Sequence, residues 1–312
     1  MTSRQSISAI GTYRIITLVV IMGALICCFL PVTATARNLV IGSISDNPVK
    51  EIRKHIPLAR YLAGHLADEG ITGADVYIGK TISDIADAIK SGEIDLFVDS
   101  SLVVQAVHLQ SHCSTQIRRW KKGHASYHSV LFTRSGHDLE KLSDLRGHNI
   151  AFDEPSSTSG YLLPRAIIEN AGLTLKKLPS PGQSATSERL TTYYDFSDHD
   201  ENTLAWVLYG RMDAGAMSNI KLERLTAGQI DKVKIFHKSP DIPHHLLCVN
   251  DQITAAMKNK IIALLKDMSN ISRGRKILKK YENTKKFDDI PEDQQKLLQH
   301  FLHGQAAQRP AP

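Results

Sequence analysis

The stretch SSTSGYLLP, Ser156 to Pro164, gathers four Ser/Thr hydroxyls and a glycine directly ahead of an apolar, helix-like run. Such residues at this spacing admit three chemistries: a nucleophilic serine, a helix cap, or a cradle for an anion. A nucleophile needs a base and a turn that exposes it. No G-x-S-x-G elbow is present, and none of the 14 histidines stands in a triad pattern. One Ser or Thr suffices to cap a helix, for ~1 kcal/mol. Ser157, Thr158 and Ser159 together exceed that need. The first N–H groups of a helix beginning near Tyr161 have no internal partner, and the helix dipole adds partial positive charge there. The three hydroxyls add donors, and Gly160 permits close approach. Such a set can hold a tetrahedral oxyanion. The residues alone leave cap and cradle both open.

Other side chains raise metal chemistry. His108, His112 and Cys113 fall at i, i+4 and i+5, and His244, His245 and Cys248 form a second cluster. Neither has the C-x-x-C or H-E-x-x-H spacing of a strong metal signal, so both read as scattered surface histidines and no metal is expected. Cys113 and Cys248 are 135 residues apart; an exported compartment permits their disulfide, and the sequence leaves it open. The run RRWKK, Arg118 to Lys122, reads as an exposed loop. An enzyme would require a paired acid and base in a cleft, and nothing in the sequence marks one; no cofactor is expected either.

These residues need elements to position them. The chain opens with Arg4 and Arg14, an apolar run from Ile15 to Leu30, and a small-residue exit at Ala34 and Ala36. This reads as a signal peptide, residues 1–36, cleaved after Ala36 into the periplasm. The run is short for a membrane anchor. A lipoprotein is less favoured, because Leu25-Ile26-Cys27 lacks a small residue ahead of the cysteine. Of 38 basic residues against 32 acidic, the leader removes Arg4 and Arg14 and leaves 36. That mild surplus does not suggest nucleic acid.

After the leader come a strand at RNLVIGSIS, a helix over Val49–Asp68 that Pro57 is expected to bend, a strand at ADVYIG, a helix capped by Thr81 or Ser83 and stopped at Gly92, and a strand at IDLFVD. A second alternation begins after Tyr127. It runs through HSVLFTR, NIAFD, the hydroxyl stretch with its helix to Asn170, ENTLAWVLYGR, MDAGAMS, DKVKIFHKSP and HHLLCVN, before three closing helices. This rhythm predicts an α/β protein of two lobes. Residues 37–129 with 247–303 form lobe 1, residues 130–246 form lobe 2, and 304–312 form a flexible tail. Linking strands are expected near Val130–Thr133 and Leu246–Val249. A cleft between such lobes suits a small ligand, with hinged closure around it.

The segment LSDLRGHNIAFDEPSSTSGYLLPRAIIENAGL, Leu142 to Leu173, resembles the periplasmic phosphonate- and phosphite-binding proteins, the PhnD-like substrate-binding components of ABC importers. LVIGSISDNP, LARYLAGHLA, SGEIDLF, DHDENTLAWVLYGRMDAGA and SPDIP are similar to it as well, so the likeness spans roughly Leu39 to Tyr281. The resemblance implies a type II periplasmic-binding-protein fold, a monomer that delivers a phosphonate, phosphite or phosphate to an ABC permease, and no catalysis. It implies that Ser157, Thr158, Ser159 and Gly160 hold the oxyanion and that His199 donates to the same group. Ser43, Asp46, Ser100, Ser101 and His245 would close the other side, with Tyr127 lining the cleft. Family members that bind an aminoalkyl phosphonate carry carboxylates where this chain has Ile220 and Lys221, and again at His244 and His245. The departure disfavours an amine-bearing ligand. The family's aromatic after the third strand is replaced by Ser100 and Ser101. The same bilobal fold also serves membrane receptors as a ligand-sensing subunit, and a metal-binding exported protein is a further alternative.

Overall fold

The computed structural model describes residues 36–179 and 191–307. The leader through Thr35, with Cys27 and Cys28, and the last five residues lie outside the described residues.

Strand β1 (Arg37–Ile44) leads into α1 (Pro48–Ala63), which Asn47 caps by accepting from the Lys50 N–H. The helix runs on through Pro57 to Ala63. Then follow β2 (Ile71–Gly79) and α2 (Ile82–Lys90). Thr81, not Ser83, caps α2 in a reciprocal capping box with Asp84. Strand β3 (Leu96–Ser100) passes directly into α3 (Ser101–His108), and β4 (Cys113–Arg119) and β5 (Ser126–Tyr127) follow.

The next elements are β6 (Ser129–Arg134), β7 (Asn149–Phe152), a π turn (Thr158–Leu162) continuing into α4 (Leu163–Asn170), β8 (Thr174–Lys177) and β9 (Thr191–Phe196). After them come α5 (Asp200–Leu208), β10 (Ala214–Ser218), α6 (Asn219–Leu225) and β11 (Val233–Lys238). The chain ends with β12 (Ile242–Pro243), β13 (His245–Asn250), α7 (Ala255–Asp267), α8 (Ser272–Lys280), β14 (Phe287–Asp288) and α9 (Glu292–Ala307). Residues 304–307, expected in a tail, belong to α9. Among the described residues no helix is long and apolar enough to cross a membrane.

Two six-stranded sheets result. The first has the order β14-β4-β13-β3-β1-β2, the second β11-β6-β10-β7-β9-β8. Period-two alternation sends side chains to both faces. In β3, Leu96 and Val98 join Leu39, Leu62, Ile261 and Leu265 on one side, while Phe97 joins Val104, Val107 and Leu298 on the other. In β7, Ile150 and Phe152 pack with Leu131 and Ile168, and Ala151 packs with Tyr193 and Met212. Sheets buried on both faces by helices are the α/β layer arrangement.

The expected linking strands lie inside the sheets. Val130–Thr133 belongs to β6, paired with β10, and Leu246–Val249 belongs to β13, paired with β3 and β4. The passage between sheets is made by β5 and β12, where Ile242 pairs with Tyr127 and Pro243 with Ser126. Apolar runs mark sheet interiors; the two-residue ribbon is too short to leave such a pattern. Cys113 and Cys248 form a disulfide joining β4 to β13, with Cα atoms 5.8 Å apart. The sulfurs of both proposed metal clusters are thereby spent.

RRWKK is not an exposed loop. Arg118 and Arg119 end β4 and are buried. Arg118 makes a two-nitrogen pair with Asp288 at 3.0 Å, and Arg119 pairs with Glu282 at 3.0 Å while its guanidinium stacks on Tyr281. Carboxylates more than 160 residues downstream in the chain neutralise both arginines.

Candidate functional site

Between the sheets, where β3, β7 and β10 end and three helices begin, lies a cavity of about 340 Å³. Its lobe 2 wall is the hydroxyl stretch. The chain leaves β7 at Phe152, turns through Asp153–Ser156, and starts its helical path at Thr158, three residues earlier than the sequence suggests. Ser157 is the cap: its Oγ accepts from the Gly160 N–H at 3.1 Å. Its carbonyl accepts from Tyr161 and Leu162. Ser157 also hydrogen-bonds Asp153.

Ser157 is therefore committed to structure, as is the Thr158 hydroxyl, and cap and cradle coexist. Thr158 Oγ1 donates to Ser100 Oγ at 2.8 Å, tying the helix start to the end of β3. Tyr127 reaches the hydroxyls of both Thr158 and Ser159, and burial pushes its phenol up, so it stays a proton donor. The backbone N–H groups of Thr158 and Ser159 have no acceptor among the described residues. These two donors, with the helix behind them, are what an oxyanion can use.

Ser43, Ser100, Tyr127, Ser157, Thr158, Ser159 and His245 line the cavity, as do Ile220, Lys221 and His244. Four other sequence candidates do not. Asp46 and His199 are exposed, and His199 stands as the residue before α5. Ser101 is fully buried and donates to the Pro243 carbonyl. Gly160 lies beneath the wall, where an added Cβ would stand 2.5 Å from Asp153 Cβ.

The charged lining is what sequence reasoning missed. Asp153 faces the helix start; burial, then the Asp200 charge, raise its carboxyl to about 7. Asp200 pairs with Lys221 at 2.5 Å. On the lobe 1 side, Glu51 pairs with Lys54 and accepts from Ser43 at 2.8 Å. Burial alone would raise Glu51, but the adjacent His55, the Lys54 ammonium and the Ser43 hydroxyl outweigh it and hold the carboxyl at about 2. Asp99 accepts from the N–H and hydroxyl of Ser100, while burial pushes it up.

Lys121 sits 3.3 Å from both His245 Nε2 and Glu282. Burial and the charges of Lys121 and Arg119 hold His245 well below its ordinary value, so it is neutral. The departure at Ile220, Lys221, His244 and His245 does not leave the cavity without carboxylates: Glu51, Asp99, Asp153 and Asp200 all line it. They come from positions outside the two matched ones, and Asp200 and Glu51 are already occupied by lysines. Glu51, Lys54 and His55 at i, i+3 and i+4 on α1 were the readable signal; an amphipathic helix hides them as a solvated face.

Residues 41–295 match the family model described as ABC transporter, phosphonate, periplasmic substrate-binding protein. Among solved structures, XAC2383 from Xanthomonas citri, determined with chloride and with ATP, superposes with a TM-score of 0.80. The chloride structure is 23% identical, covering 88% of this chain and 98% of that one. PhnD1 from Prochlorococcus marinus, in complex with methylphosphonate, gives a TM-score of 0.61 at 16% identity, covering 87% and 98%. A binding component of an ABC phosphonate transporter from Pseudomonas aeruginosa gives 0.58 at 17% identity, covering 88% and 89%. The fold is the type II periplasmic-binding fold.

Proposed function

The chain belongs to the periplasmic, phosphonate-type substrate-binding family of ABC transporters, and from that premise we propose that it captures a phosphorus oxyanion between its lobes for delivery to an ABC permease. The observation that carries this reading is the pair of unspent N–H groups at Thr158 and Ser159, at a helix start that forms one wall of an interlobe cavity. Tyr127 and Ser159 supply hydroxyls beside them, while the Thr158 hydroxyl is spent on Ser100. Asp153, when protonated, supplies one more.

Capture needs no covalent step. Each hydrogen bond to a charged oxygen is worth about 1.5–3 kcal/mol net. The Thr158–Ser100 bond ties the helix start to the end of β3 across the cavity, and a lower dielectric between them would strengthen every such contact. The likeness to proteins determined with methylphosphonate and with ATP, both phosphorus oxyanions, supports the ligand class. Residues 1–36 act as the signal peptide that takes the chain to the periplasm, where it works as a monomer.

Calorimetry with phosphate, phosphite and methylphosphonate tests the reading, comparing wild type with the Thr158→Ala/Ser159→Pro double variant. Proline removes one N–H and the Ser159 hydroxyl, and alanine removes the Thr158 hydroxyl that ties the helix start to Ser100. A loss of tenfold or more is expected. Unchanged affinity for every oxyanion would remove the cradle from the mechanism.

A further inference from the structure

The lobe 1 wall carries polar atoms that capture of a single oxyanion leaves unused. Lys121, from the turn after β4, and His245, at the start of β13, meet at 3.3 Å. An ammonium only donates, so His245 Nε2 accepts, and the neutral ring carries its proton on Nδ1. That Nδ1 is buried and has no hydrogen-bond partner among the described residues, and His245 is 8% exposed. A buried donor left unmet is costly, and a ligand oxygen would meet it. Lys121 spends its other contact on Glu282, also at 3.3 Å, and has a third N–H to give.

The local charge count points the same way. Glu282 is shared: one carboxyl oxygen faces Arg119 at 3.0 Å and the other faces Lys121. Glu51 answers Lys54. Three basic side chains, with the Lys121 ammonium held below its ordinary value by burial, therefore stand against two paired carboxylates. The remaining acid of this wall, Asp99, is turned to the Ser100 N–H and hydroxyl, and burial favours its neutral form. His244, alongside, is neutral as well, pushed down to about 3 by burial and by Lys121. Lys54, Lys121 and His245 line the same cavity as Thr158 and Ser159. Its volume of about 340 Å³ is on the order of ten water volumes, more than one tetrahedral oxyanion fills.

We propose that Lys54, Lys121 and His245 form a second anion subsite, and that the ligand carries, besides the phosphorus group at the helix start, a second anionic oxygen group on a short linker. The assignment rests on the proposed function of the helix start. The second group is a carboxylate or a second phosphoryl or phosphonyl group; both offer oxygens to the ammonium and to the His245 N–H.

The test is calorimetry on the chain purified after export, with methylphosphonate, phosphonoacetate, methylenediphosphonate and 2-aminoethylphosphonate. Phosphonoacetate or methylenediphosphonate is expected to bind at least tenfold tighter than methylphosphonate, and which of them wins identifies the second group. In Lys121→Met that advantage is expected to shrink below threefold, with Lys54→Met as the second variant should the first fail to fold. Equal or tighter binding of methylphosphonate or the aminoethyl compound overturns the subsite and leaves the phosphorus-oxyanion reading standing. So does an advantage that survives both substitutions. Binding of none of the four overturns the subsite, and failure of phosphate and phosphite as well overturns the phosphorus-oxyanion reading with it.

Discussion

Gly160→Ala tests the geometry of the helix start at one atom. The added Cβ would stand 2.5 Å from Asp153 Cβ and 2.7 Å from Ser157 Oγ. The first is rooted in the backbone at the end of β7 and cannot swing away. The second is the cap of the same helix, holding the Gly160 N–H. Overpacking of this kind costs roughly 1–3 kcal/mol and a displaced cap ~1 kcal/mol, about 2–4 kcal/mol together. At roughly 2–4 °C per kcal/mol for a chain of this size, Tm should fall by about 5–15 °C. The same displacement turns the Thr158 and Ser159 N–H groups off their common target, so oxyanion affinity should fall at least tenfold. Gly172, just beyond the other end of α4, is the control. Its φ of 78° disfavours a side chain, yet no atom lies within 4 Å of the added Cβ. Gly172→Ala should cost roughly 1–2 kcal/mol and leave affinity unchanged. Thermal melts and calorimetry on both variants decide. Wild-type Tm and affinity in Gly160→Ala would refute the claim that β7, the cap and the helix start are in fixed contact.

Three further outcomes are expected. Asp153, raised to about 7, turns from hydroxyl donor to anion as pH rises through that value, so oxyanion affinity should fall from about pH 6 to 8 more steeply in wild type than in Asp153→Asn; parallel profiles by calorimetry would contradict it. The folded chain holds this proton to higher pH than the unfolded one, so the group's contribution to stability is complete below about 4 and is lost toward 7. Reducing the Cys113–Cys248 disulfide, which closes a loop of 135 residues in sequence separation, should destabilise the fold by about 2–4 kcal/mol, read as a lower denaturation midpoint with reductant. Arg119→Met strips Glu282 of its closer partner and Tyr281 of its stacked cation, for about 3–5 kcal/mol in urea unfolding.

Much of the fold could be read because its signals are local. Strands such as IDLFVD and MDAGAMS are short apolar runs bounded by polar residues, and Thr81 with Asp84 writes out a capping box. RRWKK reads as a loop although Arg118 and Arg119 end β4, because the two arginines are neutralised by Asp288 and Glu282, a pairing that no local window contains. α3 escaped notice because SLVVQAVH is rich in β-branched valine, whose preference packing overrides. The hydroxyl wall was legible from composition, since Ser157, Thr158 and Ser159 are consecutive. The charged wall was not, because Glu51 and Lys54 on α1 and Lys121 after β4 come from distant elements and individually resemble surface residues; His245 alone on that wall was marked, through the family resemblance.

The central claim is that the Thr158 and Ser159 N–H groups grip a phosphorus oxyanion. A crystal structure of the protein saturated with methylphosphonate tests it most directly. The account predicts phosphonate oxygens about 2.7–3.2 Å from both nitrogens, with Tyr127 and Ser159 hydroxyls on the same group. A phosphonate seated elsewhere in the cavity, with those two N–H groups turned to water, would contradict it.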